Sequence, residues 1–236
     1  MLHGIIHKEE YLMRRILCGC MLLLLGIIVL CGCGFGLLNM PKDSQKPVPK
    51  SNPDTIRVDN TILHPEAIRI ENTSLIIATP FKLETAKKQK LGELEPYIKN
   101  IVGKLGNDDD ICIIVNGVSF DSKKIEMNTG ETFVPNSEGA LKMGLENMKN
   151  TSLVKDLKVE SMKNIQICGL NGKEIRGGCT FNGKGNYAAI FRGSSCYHGG
   201  DMFSVLVFFP QGNSVSEKIA DAVFESILVL CHDKKK

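Results

Sequence analysis

Residues 165–191, IQICGLNGKEIRGGCTFNGKGNYAAIF, decide the fold. Three extended segments, Ile165 to Cys168, Lys173 to Phe181 and Tyr187 to Phe191, are separated by Leu170-Asn171-Gly172 and by Asn182-Gly183-Lys184-Gly185-Asn186. Asn-Gly supplies the positive φ angles that a two-residue hairpin turn requires. The spacing therefore predicts an antiparallel meander turning at Asn171-Gly172. In that register Cys168 faces Ile175 and Cys179 faces Asn164, so a Cys168–Cys179 disulfide is not expected.

The segments on either side extend the pattern. Phe203 to Phe209 is almost wholly apolar and stops at Pro210, as a central strand would. After it, Ser214-Val215-Ser216-Glu217 forms a capping box, with Ile219, Val223 and Ile227 at helical spacing. Upstream, Leu75 to Ala78 is a strand ended by Pro80, and Ile111 to Val115 is a run suited to a strand covered on both faces. Apolar residues at Leu91, Leu94, Ile98, Ile101, Val102 and Leu105 predict a helix, ended by Gly106-Asn107. A second helix is expected from Asn136-Ser137, with Leu141, Leu145 and Met148 on one face. The expected fold class is α+β, an antiparallel sheet with helices against it.

The N-terminus obeys a different rule. From Ile16 to Leu38 there are 23 residues without a charge, preceded by Arg14-Arg15. A helix of that length can cross a bilayer core of about 30 Å. Two arrangements fit: a retained transmembrane helix, or a cleaved lipoprotein signal in which Leu30-Cys31-Gly32-Cys33 resembles a lipobox and Cys33 carries the lipid. The lysines after the run balance the basic residues before it, and the signal-like layout favours export. Residues 41–55, PKDSQKPVPKSNPDT, hold four prolines and three lysines and make a semi-rigid spacer. The chain thus divides into residues 1–40, an anchor or signal; residues 41–55, a linker; and residues 56–232, a globular domain.

Composition excludes several functions. A net charge of +3 without a basic, aromatic-bearing stripe argues against nucleic-acid binding. Five cysteines follow the apolar run, none spaced as CxxC, which disfavours structural zinc. P-loop, GxGxxG, GxSxG and HExxH patterns are absent, and no cofactor is expected. His64 and His232 have no spaced partner and are assigned no metal. Asp108-Asp109-Asp110 could hold a hard cation, but the spacing lacks the alternating ligands of a calcium loop, and a solvated turn is the simpler role. Cys196-Tyr197-His198-Gly199-Gly200-Asp201 sets a thiol two residues from an imidazole. A surface turn accounts for it as well, because activation needs tertiary contact.

The order of elements, with "GLNGKE", "NGKGNYAAIF", "FSVLVFFP" and "SEKIADAVFESIL", is similar to Mog/PsbP-like domains across roughly Ile70 to Leu230. That resemblance implies an antiparallel sheet sandwiched by helices in an αβα arrangement. It also implies a non-enzymatic binding or scaffolding module, and it supplies no functional residue. The expected function is a membrane-tethered, extracytoplasmic binding or scaffolding module that contacts another envelope protein. The alternative is a thiol-dependent enzyme or redox protein centred on Cys196 and His198.

Overall fold

The computed structural model describes residues 56–86, 96–108, 110–150, 153–182 and 186–232. The anchor, Cys33 and the linker lie outside the described residues, as does Asp109. No helix among the described residues is long and apolar enough to cross a membrane.

Among the described residues, eleven strands and three helices form two antiparallel sheets and their covering elements. The small sheet contains β1 (Ile56–Val58), β2 (Thr61–Ile70), β3 (Thr73–Thr79) and β11 (Leu228–Cys231), in that order. The large sheet contains β4 (Glu84–Thr85), β5 (Ile98–Asn107), β6 (Cys112–Phe120), β10 (Asp201–Pro210), β9 (Asn186–His198), β8 (Leu170–Asn182) and β7 (Val154–Ile167), again in spatial order. Helix α1 (Ser122–Thr129) follows β6, α2 (Ser137–Asn150) precedes β7, and α3 (Ser214–Glu225) follows β10.

β10 is the central strand its apolar run predicts, and its alternation organises both cores. Phe203, Val205, Val207 and Phe209 meet Leu63, Ile68, Ile70, Leu75 and Ile77 of the small sheet, together with Ile219, Ala220 and Val223 of α3. Leu206 and Phe208 face the other way, onto Leu141, Leu145 and Met148 of α2. The strand expected at Leu75 to Ala78 is β3, and the run from Ile111 lies in and just before β6, which is buried throughout.

Several expectations are corrected. The architecture is mainly β rather than an αβα sandwich, because a second sheet, shared with α3, occupies the layer where helices alone were expected. The helix expected over Leu91 to Leu105 is instead β5 from Ile98 onward; residues 91–95 lie outside the described part. A bulge between Ile98 and Asn100 breaks the two-residue alternation there, and so mimics helical spacing. The β7–β8 turn falls at Cys168-Gly169, where φ is 51° and 79°, and Ile167 pairs with Leu170. Both central residues adopt the positive φ that a tight hairpin demands, with Cys168 in a conformation usually left to glycine or asparagine. Gly172 sits within β8 for another reason: a Cβ there would run into the Ser195 backbone carbonyl. The last helix is capped one residue earlier than the Ser214 box implies. Asn213 Oδ1 accepts from Val215 N and Ser216 N, both at 3.1 Å. That helix ends at Glu225, and the chain then returns as β11 against β3.

Candidate functional site

The sequence singles out the turn from Cys196 to Asp201, and the structure separates its members. Cys196 is buried in the apolar core between the sheets, whereas His198 is exposed at the end of β9. Burial, with smaller contributions from Cys168 and Cys231, pushes the Cys196 thiol up to about 12. A thiol held protonated at neutral pH is a poor nucleophile. Asp201 is also buried, and its carboxylate accepts from Thr73 Oγ1 at 2.8 Å and from Asn72 N at 3.2 Å, tying β10 to the β2–β3 turn. His232 does have a partner: Ser74 Oγ and His232 Nε2 share a hydrogen bond of 2.9 Å. His232 N also donates to Asn72 O at 2.6 Å, so both bonds fasten the end of β11 onto β3.

Asp108 forms a local turn. Its Oδ1 accepts from Asp110 N at 2.9 Å and Ile111 N at 2.8 Å, which is how a short acidic side chain closes a strand connection. No group of three or more metal-binding side chains occurs among the described residues.

A different place collects polar chemistry. Between the start of α2 and the β7–β8 hairpin lies a groove of about 440 Å³. One wall is Pro135, Asn136, Ser137 and Glu138; the other is Asn164, Ile165, Asn171, Gly172 and Lys173, with Tyr197 completing the lining. Asn136 starts the helix, accepting from Gly139 N through Oδ1 at 2.8 Å and from Ala140 N through its carbonyl at 3.0 Å. Glu138 follows in the first turn, where the helix dipole favours a negative charge. Its carboxylate takes a 2.7 Å contact from Lys142 and a 3.5 Å contact from Lys173. The hydrogen bond from Lys142, and then its charge, hold the Glu138 carboxyl below its ordinary range, with Lys173 adding to the effect.

Strand register explains how the far wall is built. Asn116 of β6 lies opposite Ser204 of β10, Ser204 opposite Ser195 of β9, Ser195 opposite Lys173 of β8, and Lys173 opposite Asn164 of β7. Directly opposed residues share a face, so these five form one polar row across five strands. The row runs on the α2 side of the sheet, the side of Leu206, and its outer end is the groove wall. Asn116, Ser204 and Ser195 are buried. Two buried hydroxyls, Ser195 Oγ and Ser137 Oγ, have no hydrogen-bond partner within the protein. Ser195 is buried behind the groove's lining residues, opposite Lys173 and two residues from Tyr197 on the same face. Of the groove-lining residues only Tyr197 falls within the turn the sequence marked. The rest of the lining comes from three separated segments, and no local pattern joins them.

No protein-family model matches this sequence, and no curated protein matches it. Among solved structures it is similar to LpqN, involved in cell envelope biogenesis of Mycobacterium tuberculosis, at 10% identity and a TM-score of 0.36, over 71% of this chain and 91% of that one. It is also similar to PA94 from Pseudomonas aeruginosa, a protein of unknown function and putative regulator, at 12% identity and a TM-score of 0.30, over 66% and 90% of the two chains. Likeness at these scores carries no argument about architecture or activity.

Proposed function

We propose that this chain is a binding module held on the extracytoplasmic face of a membrane, and that its groove beside α2 receives a ligand. The observation that carries the binding role is Ser137, a buried hydroxyl without a hydrogen-bond partner in the wall of a polar groove, with a second such hydroxyl, Ser195, buried opposite Lys173 of the far wall. Buried polar groups are almost always hydrogen-bonded, so an orphan in a groove wall marks a place where something else completes the bonding. The tether rests on the uncharged run from Ile16 to Leu38, which is stable in lipid and costly in water. Residues 1–40 anchor the chain, residues 41–55 hold the domain away from the surface, and Cys33 is the lipidated residue if the segment is processed as a lipoprotein signal. The order of elements in the sequence, similar to that of Mog/PsbP-like domains, favours a scaffolding or binding role toward another envelope component.

The test of the tether is fractionation of the full-length chain expressed in a bacterial host. It should pellet with membranes, resist high salt and alkaline carbonate, and dissolve only with detergent. Recovery of the intact full-length chain as a monomer in the detergent-free aqueous fraction overturns the tether. The mass of the mature N-terminus then separates a diacylglyceryl-modified Cys33 from a retained Arg14-Arg15 flank.

A further inference from the structure

We infer that the groove beside α2 is a saccharide site, taking a neutral, hydroxyl-rich ligand rather than an ion; this rests on the binding role proposed above. The charge balance comes first. A helix N-terminus ordinarily attracts anions, but here Glu138 of the same chain already occupies the first turn. An incoming phosphate or carboxylate would meet that carboxylate at the groove wall. Lys173 is the cationic side chain of the lining, and it lies 3.5 Å from Glu138, so the two charges compensate. A cation gains as little, because Lys142 and Lys173 both contact the carboxylate.

What remains are groups that both donate and accept. Asn164 and Asn171 each offer an amide, with two donors and a carbonyl acceptor, and Ser137 offers a hydroxyl. Neighbouring ligand hydroxyls, which also give and take one bond each, match such a set. The orphaned serines add the second condition: they need a partner that can donate or accept, and a saccharide hydroxyl or a water held beneath it can do either. Tyr197 supplies the apolar surface that the C–H face of a sugar ring requires. The groove is also of ordinary size for a small-ligand pocket, which runs from roughly 300 to 1,000 Å³.

The experiment uses the full-length chain in phosphatidylcholine nanodiscs, assembled without glycoside detergents. Saturation-transfer difference NMR is recorded with neutral trisaccharides of glucose, galactose, mannose and N-acetylglucosamine, and in parallel with inorganic phosphate and acetate monitored by protein chemical shifts. At least one trisaccharide should show saturation transfer concentrated on one ring. Asn171→Ala, a change at an exposed position, should weaken that binding by about fivefold, the effect of one hydrogen bond. Ser137→Ala should weaken it too, without unfolding the domain. Failure of all four saccharides overturns the inference. Binding of phosphate or acetate at Lys173 in their place overturns it as well, as does saccharide binding that Asn171→Ala and Ser137→Ala both leave unchanged. Membrane pelleting is read separately, so an empty groove on a membrane-bound chain rejects the ligand class and leaves the tether standing.

Discussion

Raising the pH from 8 to 10 should remove a large share of this domain's stability, and the amount follows from three thiols. Burial, aided by the charge of Asp108, pushes Cys112 up to about 12; burial alone pushes Cys179 up to about 11, and Cys196 also stands near 12. The ordinary thiol value is 9.0. Each folded-state value is raised, so the folded chain holds the proton above pH 9 while the unfolded chain releases it. Stability is therefore complete below about pH 9 and is lost as pH climbs toward the folded values. Between pH 8 and pH 10 each thiol should cost roughly 1.3 kcal/mol, about 4 kcal/mol together. Domains of this size are stable by only about 5–15 kcal/mol, so the loss is easily measured. Urea unfolding in the presence of a phosphine reductant, followed by circular dichroism at fixed temperature, reads it as a fall in midpoint without a change in slope. The triple variant Cys112→Ala, Cys179→Ala, Cys196→Ala starts from lower stability but should lose most of the pH dependence. Equal pH dependence in the variant and the parent would show that these thiols are not held neutral by the core, and the burial reasoning would fail with it.

Four further outcomes are expected. Iodoacetamide at pH 8, with peptide mass mapping of the native chain, should label exposed Cys168 and leave Cys196 untouched over the same interval, since a thiol near 12 has about a thousandth of the usual thiolate; equal labelling would revive the thiol-enzyme alternative. Asn213→Ala should cost about 1 kcal/mol in chemical denaturation, because two backbone donors of α3 lose their acceptor. Asp201→Ala should cost more, about 2–3 kcal/mol, by leaving Thr73 Oγ1 and Asn72 N without their shared acceptor; a melting curve unchanged from the parent would refute that tie. Ser195→Ala should be neutral or stabilising by up to about 1 kcal/mol, because it deletes a hydroxyl that has no partner in the protein. A clear loss of stability would mean that Ser195 serves the fold rather than a ligand.

What the sequence revealed followed local rules, and what it concealed depended on pairing. β10 was legible because seven residues from Phe203 to Phe209 leave almost no polar face, which only a strand covered on both sides can satisfy. α2 was legible because Leu141, Leu145 and Met148 mark one stripe. β5 was not, because its bulge sets Ile98 and Ile101 on one face three residues apart while Val102 packs on the other face, and a bulge is a property of the strand pair. The hairpin turn was misplaced by three residues because Asn171-Gly172 is the stronger turn signal. The chain turns at Cys168-Gly169, and the glycine at 172 instead lets β8 approach β9. Cys196 and His198 drew attention as neighbours in sequence and share a face of β9, but His198 ends the strand beyond the core that covers Cys196, so one is buried and the other in solvent. The groove had no local signature at all: its walls come from positions near 136, 164, 172 and 197, which only the α2 docking and the β7–β8–β9 register bring together.

The polar row carries the most weight, because it runs against what folding alone would select. On the α2 face of the large sheet one apolar cluster gathers Ile114, Leu206, Ile175 and Phe191 against α2, and another gathers Val118, Phe120 and Met202 near α1. Asn116, Ser204 and Ser195 lie along the seam between them, each almost wholly removed from solvent. An apolar side chain at any of these positions would have joined the two clusters and added buried area at about 25 cal/mol per Å². A sheet that forgoes this, and leaves Ser195 unpartnered next to Lys173 of the groove wall, departs from the fold's own pattern in one direction, toward the groove. Conflicts between local composition and global packing concentrate where a protein does something other than fold. The turn at Cys196 contains no such conflict, since a buried thiol is an ordinary small apolar residue in a core. The row does, and that contrast is why the groove, rather than the cysteine, is taken as the working part of the molecule.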